Sequence, residues 1–168
     1  GYGILARVTW MGGHIQDNLI SGNTSGGIGM HWGPWVLRNI IEDNGGPGVD
    51  IACSGSVEDN VIRRNTLGIR ISDEGTTLGH ANGNDLYGNG SYDFYVDSGY
   101  DPSPHTFDAT LNWWGTTDPL EIAERIYNAD DDPSIEIIVL YDPWCTAPGC
   151  DPTGVEPASW GAIKALYR

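Results

Sequence analysis

Asparagine recurs in this chain at a fixed interval. Asn18, Asn39 and Asn60 stand 21 residues apart, Asn23, Asn44 and Asn65 repeat that step five residues later, and Asn84 and Asn89 continue both series after a step of 24. Aliphatic positions move in the same register: Ile15, Val36 and Val57; Ile20, Ile41, Ile62 and Leu86; Ile28, Val49, Ile69 and Phe94. Ordinary loop asparagines in a β-sandwich would not keep both the long step and the five-residue offset, so the chain is read as a repeat architecture.

Within each unit, "GIGM", "GVDI" and "GIRI" place apolar residues two apart, the period of a strand with one buried face. A unit of that size with three short apolar segments cannot enclose its own hydrophobic face, whereas stacked copies make a continuous core. The expected fold is therefore an all-β solenoid, a parallel β-helix. Its recurring asparagines (Asn18, Asn39, Asn60, Asn84; Asn23, Asn44, Asn65, Asn89) would sit at corners, where amides satisfy backbone groups and bond to the next amide in the pile.

The bulk numbers agree with many short strands. The chain has 168 residues, suited to one domain, with 24 glycines, 10 prolines and 39% hydrophobic residues. Acidic residues outnumber basic ones 23 to 8 for a formal charge of -15, which repels a phosphate backbone or an anionic membrane surface; nucleic acid is not an expected partner. No apolar run approaches 18 residues, so no membrane span is expected, and the start has no basic and apolar leader.

The pattern NxIxxNxxxGIxI, present as Asn18 to Met30, Asn39 to Ile51 and, one residue shorter, Asn60 to Ile71, resembles the right-handed parallel β-helix proteins of the pectate-lyase-like superfamily in their bacterial extracellular form. The ending "LNWWGTTDPLEIAERIYNADDDPSIEIIVLYDPW" is similar to segments that close such repeats. The resemblance covers roughly residues 3 to 144. It implies a right-handed single-stranded parallel β-helix with a C-terminal capping helix, and a secreted or bacterial cell-surface location. It does not fix an activity, because this superfamily hosts lyases, hydrolases, epimerases, adhesins and passive spikes.

Three regions are expected: β-helix coils over residues 1–116, about five rungs with the first incomplete; a cap of helix plus strand over 117–144; and a linker and tail over 145–168. "GILA", residues 3 to 6, matches "GIGM" 24 residues later, so the chain opens in mid-coil. The first rung is then covered either by a longer chain or by another subunit, and self-association through it would build a filament. In the cap, Asp118 is the expected N-cap, Pro119 the first helical residue, and Ile122, Ala123, Ile126 and Tyr127 the apolar side of a helix over roughly 119 to 128. The tail carries Trp160, Ile163 and Leu166 at amphipathic spacing, either leading toward a sorting or anchoring module or packing on the coil's side.

Residues between the buried ones of each strand point outward, which aligns Gly29, Asp50, Arg70 and Tyr95 in one column and His31, Ala52, Ser72 and Asp97 in the next. Asp50 and Arg70, with His31 nearby, are the candidate catalytic residues of a polysaccharide lyase or hydrolase; the plainer account is a surface salt bridge between adjacent rungs. Trp32 and Trp35 in "HWGPWV", with Tyr95 on the outer face, are the candidate carbohydrate-binding residues, since exposed aromatic rings suit sugar rings; the alternative is that one or both indoles fold back to cover a corner. Trp113 and Trp114 read as structural. No cofactor is expected; calcium is the ion that Asp130, Asp131 and Asp132 would take, although "NADDDP" lacks the ligand alternation of an EF-hand loop.

Cys145 and Cys150 in "CTAPGC" are spaced for a disulfide in an oxidising compartment, and Cys53, with no basic neighbour in "VDIACSG", reads as a small buried residue. Leu19, Ile40 and Val61 should form an outward apolar column for a neighbouring chain or the tail. The expected role is structural or adhesive, with polysaccharide as the partner; the alternative is a lyase or glycoside hydrolase acting on acidic polysaccharide.

Overall fold

The structure, a computed structural model, describes residues 1–7, 13–72, 78–97 and 105–149. In chain order its strands are β1 (Tyr2–Arg7), β2 (His14–Gln16), β3 (Leu19–Ser21), β4 (Gly26–His31), β5 (Trp35–Leu37), β6 (Ile40–Glu42), β7 (Pro47–Ala52), β8 (Ser54–Glu58), β9 (Val61–Arg63), β10 (Leu67–Ser72), β11 (Leu78–Asn82), β12 (Asp85–Tyr87), β13 (Phe94–Val96) and β14 (His105–Asp108). A helix, α1 (Pro119–Ala123), then precedes β15 (Ile126–Tyr127) and β16 (Ile137–Leu140). They stack as three parallel sheets, in the orders β1-β4-β7-β10-β13-β15, β16-β14-β11-β8-β5-β2 and β12-β9-β6-β3. Each strand pairs with the strand one coil away, so the chain is a parallel β-solenoid.

The register is the one the repeat dictates. Ile4, Ile28, Val49, Ile69, Phe94 and Ile126 are successive partners in the first sheet, and Ile20, Ile41 and Ile62 continue to Leu86 in the third. From Ile28 to Ile126, and from Ile20 to Leu86, every one of these side chains is buried, in one core running the length of the stack. Coils can approach closely only where side chains are absent. A Cβ on Gly46 would lie 1.7 Å from the backbone oxygen of Ser25 in the coil above, so this corner admits glycine alone.

Two ladders of amides climb the corners. In the first, Asn18, Asn39, Asn60 and Asn84 each donate from the side-chain Nδ2 to the Oδ1 of the next, at 3.0 Å in every case, and Asn84 donates to Asn112 at 3.0 Å. In the second, Asn23, Asn44 and Asn65 donate to Asn44, Asn65 and Asn89 at 2.9, 2.8 and 3.1 Å, and Asn89 donates to Asp93 Oδ1 at 2.8 Å. The same oxygens also accept the backbone N–H of the asparagine above, as Asn60 Oδ1 does from Asn39 at 2.9 Å.

The reason for an amide at each corner is local. The residue before each ladder asparagine is left-handed: Asp17, Arg38, Asp59 and Leu111 along the first ladder and Asp43 and Arg64 along the second, with Gly83, Gly22 and Gly88 at the remaining corners. A left-handed non-glycine residue costs about 1 kcal/mol. From Asn18 to Asn84 and from Asn23 to Asn89 each asparagine Nδ2 spans its bend to the carbonyl two residues back, as Asn39 does to Leu37 O at 3.0 Å and Asn65 to Arg63 O at 3.1 Å, so one side chain closes the turn and bonds to its neighbour in the stack.

Two expectations are corrected. The helix does not run to 128: it ends at Ala123, and Ile126–Tyr127 is a strand pairing with β13. The Arg125 carbonyl accepts the N–H groups of Asp93 and Phe94, which draws the following residues into the rung; Ile126 is buried as expected, but as part of a strand. Asp118 does cap the helix, accepting the Leu120 N–H at 2.9 Å. The second correction concerns the apolar column. Leu19, Ile40 and Val61 are partners in register, but only Leu19 is open, at 51% exposure against 4% and 6%. At the foot of that column the chain returns, with the Gly149 N–H on Asp85 Oδ1 at 2.5 Å. The tail residues Trp160, Ile163 and Leu166 lie outside the described residues.

Candidate functional site

The turn from the first sheet to the second carries two exposed indoles, Trp32 and Trp35. Trp32 follows β4 in a left-handed conformation (φ 66), left-handed Gly33 (φ 73) comes next, and Pro34 leads into β5, which begins at Trp35. Trp32 is 54% and Trp35 46% exposed, so neither folds back to cover the corner. Each is steadied at one edge by a histidine ring, His31 against Trp32 at 6.0 Å and His14 against Trp35 at 5.9 Å between centroids, both near T-shaped. The Gly33 N–H is fixed to Ser54 O at 3.0 Å, which anchors the turn between the two rings.

Tyr95, the third aromatic candidate, lies lower on the first sheet. Its ring stacks on that of Tyr127 at 5.1 Å and 12°, and Tyr92 closes the cluster at 5.7 and 5.4 Å from the two. One face of Tyr95 is therefore occupied by protein.

Asp50 and Arg70 are register partners, as the repeat requires, with Arg70 Nη1 3.8 Å from Asp50 Oδ2. The tighter partner of Arg70 is Asp97, at 2.5 Å from Nη2, which the sequence placed in the next column. Asp50 Oδ2 instead accepts the Tyr2 hydroxyl at 2.6 Å, while its Oδ1 is buried without a hydrogen bond. Partial burial and this bond push the Tyr2 phenol up to about 12. Burial works against the charge on Arg70, yet Asp97 and Asp50 outweigh it and hold its pKa above the ordinary arginine value. A guanidinium so held does not act as a base. His31 is not joined to this pair: its Nε2 lies 4.0 Å from Cys53 Sγ, which corrects the expectation that Cys53 has no basic neighbour. Cys53 is buried, in a left-handed conformation (φ 80) at the turn into β8.

A further polar arrangement lies on the outer face of the second sheet. Glu58 Oε1 is 2.7 Å from His80 Nε2, and Ser56 Oγ is 3.5 Å from His80 Nδ1. Sequence reasoning missed these residues because it followed outward columns on the first and third sheets but not on the second. The step of 24 from Ser56 to His80, the same as from Asn60 to Asn84, was the available clue.

At the other end, a cleft of about 530 Å³ between the last full coil and α1 is lined by Tyr87, Asp93, Trp114, Thr116, Glu121, Glu124 and Arg125, among others. Trp114 is buried as a structural residue, with an indole Nε1 that finds no hydrogen bond. Asp93 forms an ion pair with Arg125 Nε at 3.1 Å; burial raises its pKa against the opposing pull of Arg125 and Asn89.

The aspartates of "NADDDP" shape a turn. Asp131 Oδ2 accepts the Asn128 N–H at 3.0 Å, Asp132 Oδ1 accepts the Ser134 N–H at 2.9 Å, and the Asp130 N–H donates to Asn128 Oδ1 at 3.2 Å. Among the described residues no group of three or more His, Cys, Asp or Glu side chains is placed to hold a metal ion. No described helix is long and apolar enough to cross a membrane. Cys145 is buried and disulfide-bonded. Cys150, its expected partner, lies outside the described residues.

No curated protein and no solved structure matches this chain. A family model described as "Right handed beta helix region" matches residues 1–107, well over half the chain and every coil from β1 to β13. The matched span, the parallel three-sheet stack and the amide ladders agree: this chain belongs to the right-handed β-helix family.

Proposed function

We propose that the chain is a rigid extracellular or cell-surface β-helix with a structural and adhesive role, and that it holds polysaccharide on the indoles of Trp32 and Trp35. The observation that carries this reading is the pair of half-exposed rings on one anchored turn, separated only by Gly33 and Pro34. A rigid support matters because a ring already fixed loses little freedom when a sugar stacks on it. The formal charge of -15 favours neutral or amino-bearing glycans over uronic acids, which the same field would repel. The disulfide at Cys145 supports an oxidising location outside the cytosol, and the superfamily resemblance supports a bacterial one. Among the described residues β1 pairs on one side only, an edge that suits stacking of a further coil, whether from the same chain or another copy.

Retention on an array of neutral, amino-bearing and uronic polysaccharides tests the reading. Neutral or amino-bearing glycans should retain the chain, and Trp32→Ala and Trp35→Ala should each weaken retention about tenfold, equivalent to ~1.4 kcal/mol. Retention by none, or retention indifferent to both substitutions, refutes it. A lyase or hydrolase centred on Asp50, Arg70 and His31 predicts instead unsaturated or reducing ends from uronic polymers, lost in Arg70→Ala.

A further inference from the structure

We propose that Ser56, His80 and Glu58 form an acyl-ester hydrolase site, with Ser56 as nucleophile, His80 as general base and Glu58 as the carboxylate that positions His80. The fold builds the constellation directly. Ser56 and Glu58 are two apart on β8 and therefore project from the same face. His80 is the register partner of Ser56 on β11, the next strand of that sheet. The carboxylate of Glu58 at 2.7 Å from Nε2 selects the tautomer with its proton on that nitrogen, which leaves the Nδ1 lone pair facing Ser56 Oγ at 3.5 Å. A nucleophile within reach of a base that a third group orients is the geometry serine hydrolases need, and the nucleophile–base distance is commonly long without substrate. Asp108, the register partner of His80 on β14, also faces it.

The surroundings indicate the substrate class. Ser56 is 8% exposed, so a compact group such as acetyl suits Oγ better than a bulky acyl chain. Its neighbour one strand away is Trp35, whose exposed ring suits the sugar that carries the ester. The sugar half of this assignment rests on the glycan-binding role proposed above; the triad itself does not. In the reaction, Ser56 Oγ attacks the acyl carbonyl carbon as its proton passes to His80 Nδ1. The C–O bond to the sugar then breaks, and the departing sugar oxygen takes that proton. Water attacks the acyl-serine, gives a proton through His80, and releases the carboxylic acid with Ser56 restored. Neither oxidant nor metal is consumed.

Two probes decide the matter without any glycan: a fluorophosphonate, which phosphonylates an activated serine with loss of fluoride, and p-nitrophenyl acetate. The expected result is one label per chain, mapped by mass spectrometry to Ser56, and acetate release that stops in Ser56→Ala. In His80→Ala both rates should fall ~100-fold or more while the circular dichroism of the folded chain is unchanged. Glu58→Gln should lower kcat ~10-fold or more at unchanged KM, with partial recovery in Glu58→Asp. Should His80→Ala fail to fold, His80→Gln replaces it. An unlabelled Ser56 in the folded parent, or labelling that proceeds as fast without His80, overturns the proposal. Labelling without glycan retention would keep the triad and refute only the glycan-binding reading.

Discussion

The two amide ladders are alike for most of their length and end differently. The first finishes in Asn112, whose Nδ2 donates to the carbonyls of Ala81 and Ala109 at 2.7 and 2.6 Å. The second finishes in Asp93, which accepts from Asn89 but has no proton to pass on, and is met by the guanidinium of Arg125. A chain of amides runs in one direction, each giving downward what it receives from above. It can stop on carbonyls, which need donors, or on an anion, which needs a counter-charge. The pair teaches that the end of a buried polar column must be chosen to match what lies below it.

Exchanging the two endings is the sharpest way to break the comparison. Asn112→Asp sets a carboxylate against two carbonyls, and should cost about 4 kcal/mol in chemical denaturation at neutral pH. Part of that loss should return as acid protonates the new side chain, because the neutral acid can again donate to one carbonyl. Asn60→Ala, at a fully buried rung, removes the side-chain oxygen that accepts from Asn39 N and Nδ2 and the amide that donates to two carbonyls, and should cost about 3 kcal/mol. A loss under 1 kcal/mol would mean that water or relaxation replaces the ladder.

Asp93→Asn keeps an oxygen for Asn89 but turns an amide toward Arg125, for about 1–2 kcal/mol. It also carries a sign. Because the folded pKa of Asp93 is raised above 3.8, folding takes up a proton there, so its contribution is most favourable below the unfolded value and declines as pH rises through the folded one. Compared pH by pH from 3 upward in thermal melts, the parent should therefore lose stability relative to Asp93→Asn. Asn18→Ala, at the exposed head of the first ladder, should change stability by less than about 1 kcal/mol. An effect equal to that of Asn60→Ala would refute the idea that burial gives the ladder its strength.

The sequence displayed the ladders' middle plainly and their ends poorly. Asn18 to Asn84 recur at 21 and 24, whereas Asn112 follows Asn84 by 28 and Asp93 follows Asn89 by only four, breaking both the step and the residue type. The same limit governed the cap. Ile122 and Ile126 have helical spacing and are both buried, but spacing could not register the bond from the Arg125 carbonyl to β13 that makes the second a strand residue. Of the site residues, Trp32 and Trp35 were placed in their loop by the glycine and proline between them, but only the fold decided that both rings stay exposed rather than fold back over the corner. Arg70 was paired in the sequence with Asp50, one rung away, but a long side chain reaches diagonally, and Asp97 won the closer contact. Outward residues obey no packing rule strict enough to be read from periodicity, which is why Ser56, His80 and Glu58 went unnoticed.

Because Asn39 and Asn60 offer identical acceptors to the rung above and identical donors to the rung below, the stretch 39–59 behaves as an interchangeable cassette. Evolution or a protein engineer could duplicate or excise it and leave every remaining corner correctly mated, lengthening or shortening the rod by about 4.8 Å each time. The fold is in that sense a ruler, on which the spacing between whatever sits at its two ends is set by counting turns.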